Sequence, residues 1–142
     1  MMPPSSKVDA SCGMPPPELP HERPLHSVIG AFFEVFNDLG FGYLEQLYAA
    51  ALTLELRARG HHVEREVSVP VRYKGEVIGC QRLDVLVDRS IVVETKSTQE
   101  LHASATRQVY NYLRGTGLRI GLLLHFGPEP RFYRVECRGG GR

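Results

Sequence analysis

The segment "RLDVLVDRSIVVETKS", residues 82–97, carries three residues whose types could do chemistry: Asp84, Glu94 and Lys96. Paired carboxylates bind a divalent cation such as Mg²⁺ through oxygen, and a nearby ammonium steadies developing negative charge or orients a water. The surrounding Val, Leu and Ile residues, broken by "DRS" at 88–90, predict a β-hairpin. Folding about that turn sets Val87 against Ile91 and, counting outward, Asp84 against Glu94. Alternation then places Asp84, Leu86, Val92, Glu94 and Lys96 on one face, and Leu83, Val85, Val87, Ile91 and Val93 on the other. Opposed acids repel, at a cost in stability. A shared metal ion relieves that cost; so does a plain surface hairpin in which Lys96 neutralises Glu94.

Two helical positions bear on the same chemistry. Glu45 lies three residues before Tyr48 and seven before Leu52, on a stripe beside the apolar one, where it could swing toward a cleft. It is equally an acid at a helix N-terminus, favoured there by the macrodipole. Gln108 and Tyr112 are four apart and point the same way. Gln108 suits a phosphate or a water; Tyr112 suits stacking, a hydrogen bond or core packing.

The elements that must position these residues are legible as patterns. Val28, Ile29, Phe32, Phe33, Phe36 and Leu39 recur at helical spacing, and Gly40 is placed to stop that helix. A second helix is predicted from about Tyr43 to Arg59, with Leu44, Leu47, Ala51, Leu54 and Ala58 as its apolar stripe and Gly60 as its stop. Residues 63–97 read as strands, turning at "YKGE" (73–76) and "DRS". A third helix is predicted over 101–114, breaking at "GTG", followed by the apolar strand "LRIGLLLHF" and a last strand "RFYRVE". The order ααββββαββ predicts an α/β domain, a mixed sheet flanked by helices.

Composition narrows the function classes. The 142 residues suffice for one domain, with seventeen Lys plus Arg against sixteen Asp plus Glu. Global charge therefore demands no polyanionic partner, though a local patch drawn from Arg57, Arg59, Arg65, Arg72, Lys74, Arg82, Arg107, Arg114 and Arg119 could bind one. Cys12, Cys80 and Cys137 have neither disulfide nor metal-ligand spacing, which suits a reducing compartment. No run of eighteen apolar residues exists, and the Pro-rich opening has no signal-peptide core, so a cytoplasmic protein is expected. Residues 1–22 and 138–142 are expected to be flexible tails around a domain at 23–137. His26, His61, His62, His102 and His125 are scattered, and no phosphate loop, serine elbow or dinucleotide fingerprint is present.

With these residues in hand, the chain resembles the family named for its GxxExxY motif, placed within the PD-(D/E)XK nuclease superfamily. "GYLEQLY" supplies Gly42, Glu45 and Tyr48; "RLDVLV" resembles the strand bearing the family's Asp, here Asp84; "VVETKS" resembles the E-x-K strand. "RQVYNYLRGTGLRIGLLLHFG" resembles the helix and strand that follow, with Gln108 and Tyr112 in its polar positions. The likeness runs from His26 to Glu136.

It implies a restriction-endonuclease-like core that hydrolyses phosphodiesters, more often of DNA, with Mg²⁺ or Mn²⁺. Asp84 and Glu94 would hold the metal, Glu45 would reach it directly or through water, Lys96 would assist the attacking water, and Gln108 would support the phosphate or the lysine. Tyr48, Tyr112, Arg82 and Arg107 are candidate substrate contacts. Leu83 stands where the superfamily name has proline, which positions backbone and supplies no ligand. The alternative is a nuclease-fold module that binds nucleic acid or a protein partner without useful turnover; a homodimer also stays open.

Overall fold

A computed structural model describes residues 22–138; the two expected tails lie almost entirely outside these residues, as does Cys12. The elements are α1 (Glu22–Leu39), α2 (Glu45–Ala58), β1 (Val63–Tyr73), β2 (Glu76–Val87), β3 (Ile91–Lys96), α3 (Ala105–Thr116), β4 (Ile120–Phe126) and β5 (Pro130–Glu136). The expected α/β class and mixed sheet hold, with three strands before α3 where four were expected. Two turns suffice to divide residues 63–96, because β2 runs unbroken for 12 residues. Among the described residues no helix is long and apolar enough to cross a membrane.

The five strands lie in sequence order, β1 to β5. All neighbours are antiparallel except β3 and β4, which are parallel and joined through α3. A parallel pair needs such a crossover, and here the helix lies over one face of the sheet. Helices α1 and α2 cover the other. One apolar core joins Val28, Phe32, Tyr48, Leu52 and Leu56 to Val85, Val87, Ile91, Val93, Leu122 and Leu124. A second joins Val109, Tyr112 and Leu113 of α3 to Val69, Leu83, Leu86, Val92 and Leu123. Covered on both sides, β4 is buried along its whole length, hence its uninterrupted apolar sequence.

The expected apolar stripe of α2 is corrected. Leu44 (73% exposed), Leu47 and Leu54 (71%) face outward, while Tyr48, Ala49, Leu52, Thr53 and Leu56 are buried. Residues 47–54, "LYAAALTL", are apolar nearly all round, so periodicity alone could not select the inner face. Tyr48 turns inward because its polar end is satisfied there: its hydroxyl donates to the Gly40 carbonyl and accepts from the Tyr43 N–H. Gly40 itself ends α1 at φ +74°, its N–H returning to the Phe36 carbonyl at 2.8 Å.

A second correction concerns Leu83. The hairpin register is as counted, with Val87 paired to Ile91 and Val85 to Val93. Yet Leu83 packs under α3, on the opposite side from Val85 and Val87. Glu66, opposite Asp84 by register, has a left-handed φ of 54°, and β1 changes faces there as well: Val63 lies under α1 and α2, Val69 under α3. Both strands roll over together at Glu66 and Asp84 without losing register, a break that simple alternation does not foresee.

The layer over α3 is tight. A Cβ built on Gly121 would lie 2.7 Å from Val109 Cγ1 and 3.1 Å from the Val92 carbonyl oxygen. Gly121→Ala is therefore expected to destabilise the fold by about 1–3 kcal/mol through overpacking, read as a lower urea midpoint with an unchanged slope.

His61 ties three elements at the far end of the sheet. Its Nδ1 lies 2.7 Å from Asp88 Oδ2, and its Nε2 lies 2.7 Å from Ser27 Oγ. Asp88 and Arg89 both have φ of 53°, so the turn anticipated at "DRS" is left-handed.

Candidate active site

Asp84 stands where β2 rolls away from β3. Its Oδ2 accepts two hydrogen bonds from Thr95, one from the backbone N–H (3.0 Å) and one from Oγ1 (2.9 Å). The side chain thus takes an N–H of β3 just beyond the paired residues, and the two bonds fix the carboxylate's direction.

Glu94, one residue before Thr95, is only 4% exposed. Lys96 Nζ lies 3.5 Å from its Oε2, while Oε1 is buried without a hydrogen-bond partner. Burial, and then the Asp84 charge, push the Glu94 carboxyl up from 4.5 to about 8; Lys96 opposes this, and Glu45 adds a smaller push in the same direction. Near neutral pH, without a cation, Glu94 therefore holds a proton. An unsatisfied buried oxygen beside a second carboxylate is an arrangement that a cation would relieve.

Glu45, at the start of α2, approaches from the other side. Its Oε2 accepts the Ser97 N–H at 3.2 Å, and Ser97 Oγ donates to the Tyr43 carbonyl. The end of β3 and the α1–α2 loop are thereby stitched together, with Glu45 at the seam. Glu45 is felt by Glu94 electrostatically, but its hydrogen bond goes to the backbone. Among the described residues no group of three or more His, Cys, Asp or Glu side chains could hold a metal ion. The two observations agree, since charge acts across distances greater than a metal–oxygen bond. Asp84 and Glu94 match what Mg²⁺ ordinarily takes from a protein, one or two carboxylates with the remaining positions left to water and substrate.

The residues on α3 form a supporting chain. Gln108 Nε2 donates to Tyr112 Oη at 3.2 Å, and Tyr112 Oη donates to the Arg82 carbonyl at 2.8 Å. Burial first, then Glu94 and Asp84, push the Tyr112 hydroxyl up to about 12, so it remains a donor. The Tyr112 ring is core, and its hydroxyl anchors the strand just before Asp84. Gln108 is turned toward that hydroxyl. The side chains of Arg82 and Arg107 are on the surface, Arg82 at 3.4 Å from Glu66 and Arg107 above the Tyr110 ring at 4.9 Å.

Tyr48 is placed differently from expectation. It is completely buried, stacked on Phe126 at a centroid distance of 4.1 Å, so its side chain presents no surface to a substrate. It holds the GxxExxY turn from beneath.

Three residues that sequence reasoning left aside take part. Thr95 orients Asp84 and Ser97 holds Glu45. His125 pairs in register with Lys96; its Nε2 donates to the Thr98 carbonyl at 2.9 Å, and its Nδ1 is buried without a partner. A Cβ on Gly127 would lie 2.7 Å from His125 Cε1, so that glycine leaves room for the ring. His125 thereby pins the segment that follows Lys96. The available signal was a single histidine in the apolar run "IGLLLHF".

Among curated proteins none matches the chain significantly. The crystal structure of SSO0001 is similar in fold, with a TM-score of 0.53 at 20% identity, covering 79% of this chain and 55% of that one. The present chain thus spans little more than half of that structure's length, and at this identity the likeness speaks to fold alone. The sequence itself matches the PD-(D/E)XK nuclease superfamily over residues 22–135, a span that takes in α1, Asp84, the E-x-K strand and nearly all of the last strand. With most of its length inside that match, the chain belongs to the PD-(D/E)XK nuclease superfamily.

Proposed function

We propose that the protein is a metal-dependent phosphodiesterase that hydrolyses nucleic acid, with DNA the first substrate to test. The observation that carries this reading is the Glu94 carboxyl: buried, one oxygen unpartnered, its pKa raised by burial and by Asp84, and next to a lysine. A bound Mg²⁺ or Mn²⁺ would supply Lewis acidity and lower the pKa of a coordinated water. Asp84, held by Thr95, presents a preoriented carboxylate. Glu94, in its carboxylate form, would be the second oxygen donor to such an ion. Lys96, partly exposed beside Glu94, orients the attacking water and steadies charge on the phosphate. Glu45, tied to the end of β3 through Ser97, would reach such an ion only through water. Gln108 and Tyr112 keep the Asp84 strand in place.

A second reading, a nuclease-fold module that binds nucleic acid or a protein without turnover, is favoured by the lack of a three-member ligand group among the described residues. One assay separates the two. Single- and double-stranded DNA and RNA are incubated with wild type, Glu94→Ala and Lys96→Ala in Mg²⁺, Mn²⁺ or EDTA. Cleavage that needs metal and is lost in both variants is the expected result. Equal residual cleavage in all three proteins would mark contamination and sink the enzyme reading.

A further inference from the structure

Beside the carboxylates, the α1–α2 loop and the segment after β3 enclose an open cleft lined by Phe41, Tyr43, Leu44, Glu45, Ser97 and Thr98, among others. Its apolar members are unusually open for large hydrophobic side chains, with Phe41 42% and Tyr43 46% exposed. Tyr43 is nevertheless held firmly. Its ring meets Tyr48 edge-on at 5.9 Å, Tyr48 is stacked on Phe126, and Phe126 meets Phe32 edge-on at 4.8 Å. Its backbone is fixed at both ends, the N–H on Tyr48 Oη and the carbonyl on Ser97 Oγ. Tyr43 is thus the solvent end of a packed aromatic column, presented to the cleft at little further cost in ordering. Glu45 belongs both to this cleft and to the charge set around Glu94.

We propose that this cleft is a stacking subsite for unpaired nucleobases, so that the substrate is single-stranded nucleic acid or a single-stranded end. The inference rests on the nuclease reading of the adjoining carboxylates. An aromatic ring reaches the face of a base only when that base is neither paired nor covered by its neighbours. The competing occupant is a protein, because the outward leucines of α2 continue the apolar surface. Leu54, however, does not line the cleft, and this separates the two.

The test is fluorescence anisotropy of the full chain in EDTA, with a labelled oligothymidine and an abasic oligonucleotide of the same length. The oligothymidine is expected to bind about 5- to 100-fold more tightly, the range of one base–aromatic stack. Phe41→Ala and Tyr43→Ala should remove most of that preference without changing abasic binding, while Tyr43→Phe, which keeps the ring, and Leu54→Ala retain it. Far-UV circular dichroism and Tm confirm that each variant is folded. Equal affinity for the two oligonucleotides, no binding of either, or a preference untouched in folded Phe41→Ala and Tyr43→Ala overturns the subsite. A change in sedimentation mass on Phe41→Ala overturns it in favour of a protein interface. Base-selective binding without metal-dependent cleavage overturns the nuclease reading alone; cleavage with base-independent binding overturns the subsite alone.

Discussion

Glu94→Gln is expected to lower metal-dependent cleavage by about 10²–10³-fold or more and, in the same protein without metal, to raise stability above neutral pH. The two effects have one cause. The Glu94 carboxyl is pushed from 4.5 to about 8 in the folded protein. Between those values the folded state keeps a proton that the unfolded chain has released, so stability falls as pH rises through this window and levels off above it. Glutamine carries no such proton. The variant should therefore match wild type below the window and gain on it progressively through the window. Above the window the gain is of order 5 kcal/mol, because each pH step of one is worth about 1.36 kcal/mol and the window runs from 4.5 to about 8. Urea unfolding in EDTA at several pH values checks the stability arm. A stability difference that stays flat with pH would contradict the assigned state of Glu94. Lys96→Ala sharpens the contrast, since it should lose cleavage without gaining stability: the cation that holds the Glu94 carboxyl down is then gone.

Tyr48→Ala is expected to cost about 3–5 kcal/mol of folding stability, the range for emptying a fully buried aromatic site, and at moderate temperature to leave much of the protein unfolded. Tyr48→Phe isolates the hydroxyl. It leaves the stack on Phe126 but strands the Gly40 carbonyl and the Tyr43 N–H, at a cost of about 1–2 kcal/mol. Chemical denaturation measures both. Substrate KM for Tyr48→Phe should stay within about twofold of wild type, because the side chain is wholly buried. A large rise in KM with unchanged stability would restore the substrate contact that the motif suggests.

The hairpin was legible because it is short-range in sequence. Val85, Val87, Ile91 and Val93 lie on two strands joined by one turn, and a turn fixes register, so counting outward held as far as the Val85–Val93 pair; the pairing ends there, and Asp84 bonds Thr95 instead of standing paired to Glu94. The glycine stops of the helices were legible for a similar reason, since Gly40, Gly60 and Gly117 all adopt positive φ, which other residues rarely take, whereas α3 runs from Ala105 to Thr116 and not over 101–114. Helix α2 marks the limit. Its sequence is apolar on nearly every side, and the inner face was chosen by the fit of Tyr48 between Phe126 and the Gly40 carbonyl, a partner set that no local pattern contains.

The sequence by itself determined the α/β class, the identity of the acids and lysine, and the hairpin that carries them, since these follow from residue type, strand patterning and turn chemistry. Only the tertiary structure decided how they are held. Thr95 turns Asp84, Ser97 catches Glu45 from more than fifty residues away, and His125 pins Thr98 just beyond them. It also decided that the Glu94 carboxyl is pushed up, because that depends on burial within the folded sheet and on charges brought in from separate elements. Burial and electrostatics are sums over neighbours in space, and those neighbours exist only once the chain has folded.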